Sequence, residues 1–128
     1  MPPLSPHPLA LHHRVYAAPG VAATPTLVIH GLYVSAMNWH GFPGRLHRLL
    51  GPGQRLIVPD LRNHGQSPHD PVFSYEAMTT DLVGLLDHLK IDHASLVGHS
   101  LGGKVAMWLA LEHSERIETL AVVDIAPV

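Results

Sequence analysis

Gly98-His99-Ser100-Leu101-Gly102 stands between a short apolar run and a longer segment of helically spaced apolar residues, and no other feature of the chain constrains its fold as much. A G-x-S-x-G sequence at such a junction predicts a strand, a sharp corner and a helix in immediate succession. Ala94-Ser95-Leu96-Val97 reads as a short buried strand, and Leu101, Val105, Trp108, Leu109 and Leu111 fall broadly at helical spacing. The corner would hold Ser100 in a strained backbone conformation. Gly98 and Gly102 would remove the Cβ atoms that collide where strand and helix come close. A serine hydroxyl is a weak nucleophile at neutral pH, so this presentation suits chemistry in which a base reaches it from one side and a carbonyl from the other. The competing reading of the same residues is an ordinary glycine turn with Ser100 as a helix N-cap.

The rest of the chain alternates strands and helices. Strands are expected over 9–17, followed by the turn Ala18-Pro19-Gly20, and over 26–30, 55–59 and 119–125. Helices are expected over 42–50, closed by Gly51-Pro52-Gly53, over 75–89, and from the corner to about His113. Met78, Leu82, Leu85, Leu86 and Leu89 share one side of the second of these, and Ser74 is placed to cap it. Strands that are separated by helices and lack polar alternation predict an α/β fold, with a mostly parallel sheet covered on both faces. In such sheets function collects at the carboxyl ends of the strands, where His30-Gly31, Asp60, Ser100 and Asp124 all fall.

Composition narrows the classes further. With 128 residues, 46% of them hydrophobic and 14% charged, the chain is expected to form one globular domain or part of one. A formal net charge of -2 and no dense Lys/Arg cluster argue against nucleic acid or an anionic membrane surface as the main partner. The absence of cysteine excludes disulfides, thiol nucleophiles and thiolate metal sites, and it leaves the compartment open, with the cytoplasm as the default expectation. The proline-rich residues 1–8 have neither a basic region nor a sustained apolar run, so they predict a loose tail rather than a signal peptide or membrane span. The twelve histidines are scattered without an H-E-x-x-H pair, so they are expected mostly on the surface and not as metal ligands.

His30-Gly31-Leu32, the run from Asp60 to Ser67, Gly98 to Lys104, and Val122 to Val128 together resemble the α/β-hydrolase fold. More narrowly, they resemble the YbfF-type esterases and their eukaryotic abhydrolase-domain relatives. The similarity runs from about Leu9 to the last residue. Arg62-Asn63-His64-Gly65 and the Asp-Ile-Ala-Pro-Val ending are its more specific parts.

This resemblance implies a serine hydrolase that acts on small carboxylic esters through an acyl-Ser100 intermediate, with no cofactor and no metal. The oxyanion formed on attack needs preorganised donors. The corner would supply the Leu101 N–H and the His-Gly loop that of Leu32, with Val34 standing where relatives often carry glycine. Asp124 would be the acid that orients a histidine, His30 would shape the oxyanion loop, and Asp60 would stabilise the turn through Arg62 to Gly65. The triad order in this fold is serine, acid, histidine. No histidine follows Asp124 in the sequence, and neither His99 nor His113 is placed to reach Ser100. The resemblance thus implies roughly the N-terminal half of the fold, without cap or final strands: a fragment, a truncated gene product or a split protein. The last strand would be an open edge exposing Val122 and Val123, inviting self-association or pairing with a C-terminal half. The alternative is a non-catalytic module acting in protein interaction, whose corner is inherited rather than used.

Overall fold

The computed structural model describes residues 7–17, 20, 23–31, 42–51 and 53–123. In chain order these form β1 (His13–Tyr16), β2 (Thr26–Ile29), α1 (Phe42–Leu50), β3 (Leu56–Pro59), α2 (Tyr75–His88), β4 (Ala94–His99), α3 (Leu101–Glu112), a short 3-10 turn (Ser114–Arg116) and β5 (Ile117–Val123). The strands make one sheet in the order β1-β3-β2-β4-β5. Only β1 runs antiparallel to its neighbour; the β3-β2, β2-β4 and β4-β5 pairs are parallel.

Apolar runs without alternation suit strands covered on both faces, and Leu27, Val28, Ile29, Leu56, Ile57 and Val58 are all fully buried. Successive side chains alternate across the sheet. Leu27, Ile29, Ile57 and Leu96 therefore pack with Met78, Leu82 and Leu86 of α2 and with Val105 and Leu109 of α3. Val28, Leu56 and Val58 face the other way, toward Leu46 of α1 and Tyr16. The Ser74 side chain accepts a 3.0 Å bond from the Ala77 amide and starts α2 as its N-cap.

Four expectations shift in extent or face, and the last strand begins at Ile117, two residues before the expected start at 119. The N-terminal strand covers only His13–Tyr16 of the expected 9–17. Before it, the Leu9 amide donates to Asp81 Oδ1 (2.8 Å) and the His12 amide to Ser67 Oγ (2.9 Å), so the segment is tied to side chains rather than to a ladder. Strand β4 runs on to His99, because Gly98 and His99 stay in register with Val122 and Val123 of β5 up to the corner itself. Leu111 does not join the apolar stripe of α3. It is 81% exposed, and the buried residues of the helix are Gly102, Gly103, Val105, Ala106 and Leu109.

At the sheet's end β5 is exposed over all but its first residue, with Val122 at 37% and Val123 at 49%, as expected for an open edge. Of the expected tail, residues 1–6 lie outside the described ones, and Pro8 lies against Gly84, where an added Cβ would stand 2.7 Å from the proline ring. Among the described residues no helix is long and apolar enough to cross a membrane.

Candidate active site

Three neighbouring strands deliver His30, Asp60 and Ser100 to one end of the sheet, since β3, β2 and β4 are adjacent and parallel. Ser100 sits at φ 55°, ψ -117°, left-handed backbone that an L-residue adopts only under strain, at a cost of about 1–3 kcal/mol. Its side chain makes no capping bond to α3, which removes the N-cap reading, and the residue is exposed. The Ser100 carbonyl instead accepts from the amides of Gly103 (2.9 Å) and Lys104 (3.3 Å), turning the chain directly into the helix.

The two glycines of the motif make this corner possible. A Cβ on Gly102 would drive into the carbonyl oxygens of Ile29 and His30. One on Gly98 would meet Gly102 and stand 2.6 Å from Gly103 Cα. Helix α3 can therefore cross β2 and β4 only with glycine at both positions. Gly31 approaches from the other side, where an added Cβ would stand 3.3 Å from Ser100 Cβ, a tight contact but not a clash. The His30-Gly31 segment thus lies directly against the serine. The Leu101 N–H opens α3, in the first turn where amides have no intrahelical acceptor.

His30 is wholly buried and His64 is buried with it, two exceptions among histidines that otherwise lie, where described, at half-buried or exposed positions. Both ring nitrogens of His30 are engaged: Nε2 accepts from the Leu61 amide at 2.9 Å, and Nδ1 lies 2.6 Å from the Gly31 carbonyl. An Nε2 acceptor requires the proton on Nδ1, which then donates to Gly31. Burial, only partly offset by the Gly31 bond, lowers the His30 pKa from 6.5 to about 4, so the ring is neutral at neutral pH. His30 thereby ties the end of β2 to the start of the loop after β3.

That loop is built by Asp60 and Arg62. Asp60 Oδ2 accepts from the Gln66 amide (3.0 Å) and stands 3.2 Å from His12 Nδ1, while its carbonyl accepts from Ser67 Oγ at 2.6 Å. Asp60 therefore stabilises the turn, as expected. Arg62, 1% exposed, makes a two-pronged pair with Asp81 of α2, with Nε to Oδ2 at 2.7 Å and Nη2 to Oδ1 at 2.9 Å. Its Nη1 donates to the Val72 carbonyl at 2.8 Å, and the bonded Asp81 carboxylate holds its pKa above the ordinary value. The His64 ring completes the cluster, 5.0 Å from His30 and 5.9 Å from Phe73. The Asp81 partnership had no signal in the sequence beyond an acid on a helix.

Leu32, Val34 and Asp124 lie outside the described residues. Their nearest described neighbours are Gly31, which packs on Ser100, and Val123, which is in register with His99 and accepts a 3.3 Å bond from the Ser100 amide.

Comparison with known proteins places this geometry. A family profile described as alpha/beta hydrolase fold matches residues 24–128. A sn-1-specific diacylglycerol lipase ABHD11 of Danio rerio is 43% identical over 120 residues, covering 94% of this chain and 37% of the relative. Esterase YbfF of Escherichia coli (strain K12) is 47% identical over 105 residues, covering 82% of this chain and 40% of the relative. A solved structure of a marine microorganism esterase superposes with a TM-score of 0.81 at 35% identity, over 93% of this chain and 43% of that one. The chain thus spans well under half the length of these relatives.

Proposed function

Because the chain belongs to the alpha/beta hydrolase fold family, we propose that it carries the nucleophile half of a serine hydrolase acting on small carboxylic esters. Ser100 Oγ attacks the ester carbonyl, the alcohol leaves with a proton, and water then hydrolyses the acyl-serine. The negative charge on the attacked oxygen is met by the Leu101 N–H at the head of α3 and by that of Leu32 beside Gly31. Each such donor contributes about 2.7–4 kcal/mol to the transition state. Asp124 orients and stabilises the histidine that takes the serine proton. That histidine comes from a further part of the fold, of the kind that makes up the remaining length of the relatives, supplied in the same chain or by pairing along β5. The cytoplasm is the proposed compartment.

The observation that carries this reading is the backbone of Ser100: strained, exposed, without a capping bond, and packed against Gly31. The names of similar proteins, a diacylglycerol lipase and an esterase, support an ester as the substrate class. Reaction with a fluorophosphonate probe tests it, alone and with the C-terminal part of a relative added. Labelling that disappears in Ser100→Ala is expected. No labelling under either condition would make the chain a non-catalytic module.

A further inference from the structure

Phe73, Tyr75, Met78, Leu101 and Trp108 wall a groove of about 370 Å³ beside the corner that presents Ser100. We propose that this groove receives the acyl chain of the ester on which Ser100 acts, an assignment that rests on the esterase reading above. Leu101 fixes the direction. It is the residue after Ser100 and a wall of the groove, so the groove begins one residue along the chain from the proposed nucleophile. Trp108 lies two helical turns further on the same face, about 10 Å along α3 at 1.5 Å per residue.

The lining matches an alkyl chain. Of the two Phe, three Tyr and two Trp in the sequence, three gather here. The Tyr75 and Trp108 rings stack with centroids 5.8 Å apart, and Phe73 and Tyr75 remain exposed although their bodies are apolar. Five of the seven lining residues are apolar or aromatic, and the other two, Ser74, whose hydroxyl accepts from the Ala77 amide, and Glu76, are polar. Phe73 touches His64, which touches His30, so the groove wall and the segment under Ser100 form one continuous contact of rings.

Size argues against a protein as the occupant. The groove is concave and lined by seven residues, whereas a stable protein interface takes about 20–30 residues on each side. Its volume falls within the range of small-molecule sites, about 300–1,000 Å³.

The test separates the groove from the nucleophile. In a Ser100→Ala chain that also carries Trp39→Phe, Trp108 is the sole tryptophan, and its fluorescence reports titration with methyl esters from butanoate to dodecanoate. Each added methylene should lower Kd about fourfold until the groove is full, after which Kd levels off. Tyr75→Ala should raise Kd for the decanoate ester at least tenfold and leave the butanoate value unchanged. Phe73→Ala, at an exposed loop position, gives the same readout if Tyr75→Ala does not fold. Graded binding supports the groove whether or not native Ser100 takes a fluorophosphonate label. A labelled Ser100 with Kd independent of chain length, or insensitive to both substitutions, overturns the groove and leaves the nucleophile standing.

Discussion

His30 concentrates the logic of the site in one ring. Its position demands a neutral imidazole, because a second proton on Nε2 would displace the Leu61 amide from its only possible orientation as donor. Folding therefore opposes protonation, with a folded pKa of about 4 against an ordinary 6.5. As pH falls below 6.5 the unfolded chain takes up this proton first, so the associated stability is complete above 6.5 and is lost progressively down to about 4. At about 1.4 kcal/mol per unit, the loss is on the order of 3 kcal/mol. Urea titrations across this range should show the native chain losing that much more stability than His30→Asn. Parallel pH profiles for the two would show that His30 is not held neutral. Ser100 is the complementary case, where the strained corner is held because the flanking glycines let α3 pack closely against β2 and β4.

Between elements, the pair formed by Arg62 and Asp81 fastens the loop after β3 onto α2, and Asp81 also holds the N-terminal segment through the Leu9 amide. Both charges are buried, so removing Asp81 leaves the Arg62 guanidinium with only the more exposed Asp70, 3.5 Å from Nη1, as counter-charge. Asp81→Asn should cost about 3–5 kcal/mol in a denaturant titration, whereas replacing both residues by apolar ones of similar volume should recover most of the loss. A cost below about 1 kcal/mol for the single substitution would show that the pair does not secure the loop. The glycine contacts between α3 and β2 act at the same scale, setting how closely the helix that follows Ser100 can approach the neighbouring strand.

For the molecule as a whole, the described sheet ends in a short antiparallel strand, β1, on one side and in the longer parallel strand β5 on the other. Strands β2 and β3 are buried in its interior, while β5 at the end of the order is exposed along nearly its whole length. Among the described residues no strand pairs with the outer edge of β5, where Val122 and Val123 are exposed, and an edge of this kind is a template for another strand. In sedimentation the 128-residue chain should associate with rising concentration, and Val122→Lys should shift it toward monomer. A native chain that stays monomeric throughout and unfolds cooperatively would rule out pairing along this edge.

Whatever depends on neighbours within a few residues was legible in the chain itself: the apolar runs of β2, β3 and β4, the span of α1, the Ser74 cap, and the strained corner with its two glycines. Such features are set by local sterics and by the 2-residue and 3.6-residue periods of strand and helix. Leu111 and residues 9–12 read less well, because which face is covered and which amide finds a ladder depend on what packs there. The burial of His30 and His64 was not legible at all. Nor was the bond from Leu61 to His30, thirty-one residues apart, or that from Arg62 to Asp81, nineteen apart. Only tertiary structure could choose those partners, because a buried polar group takes whichever complementary atom the fold brings within reach, and sequence distance carries no record of it.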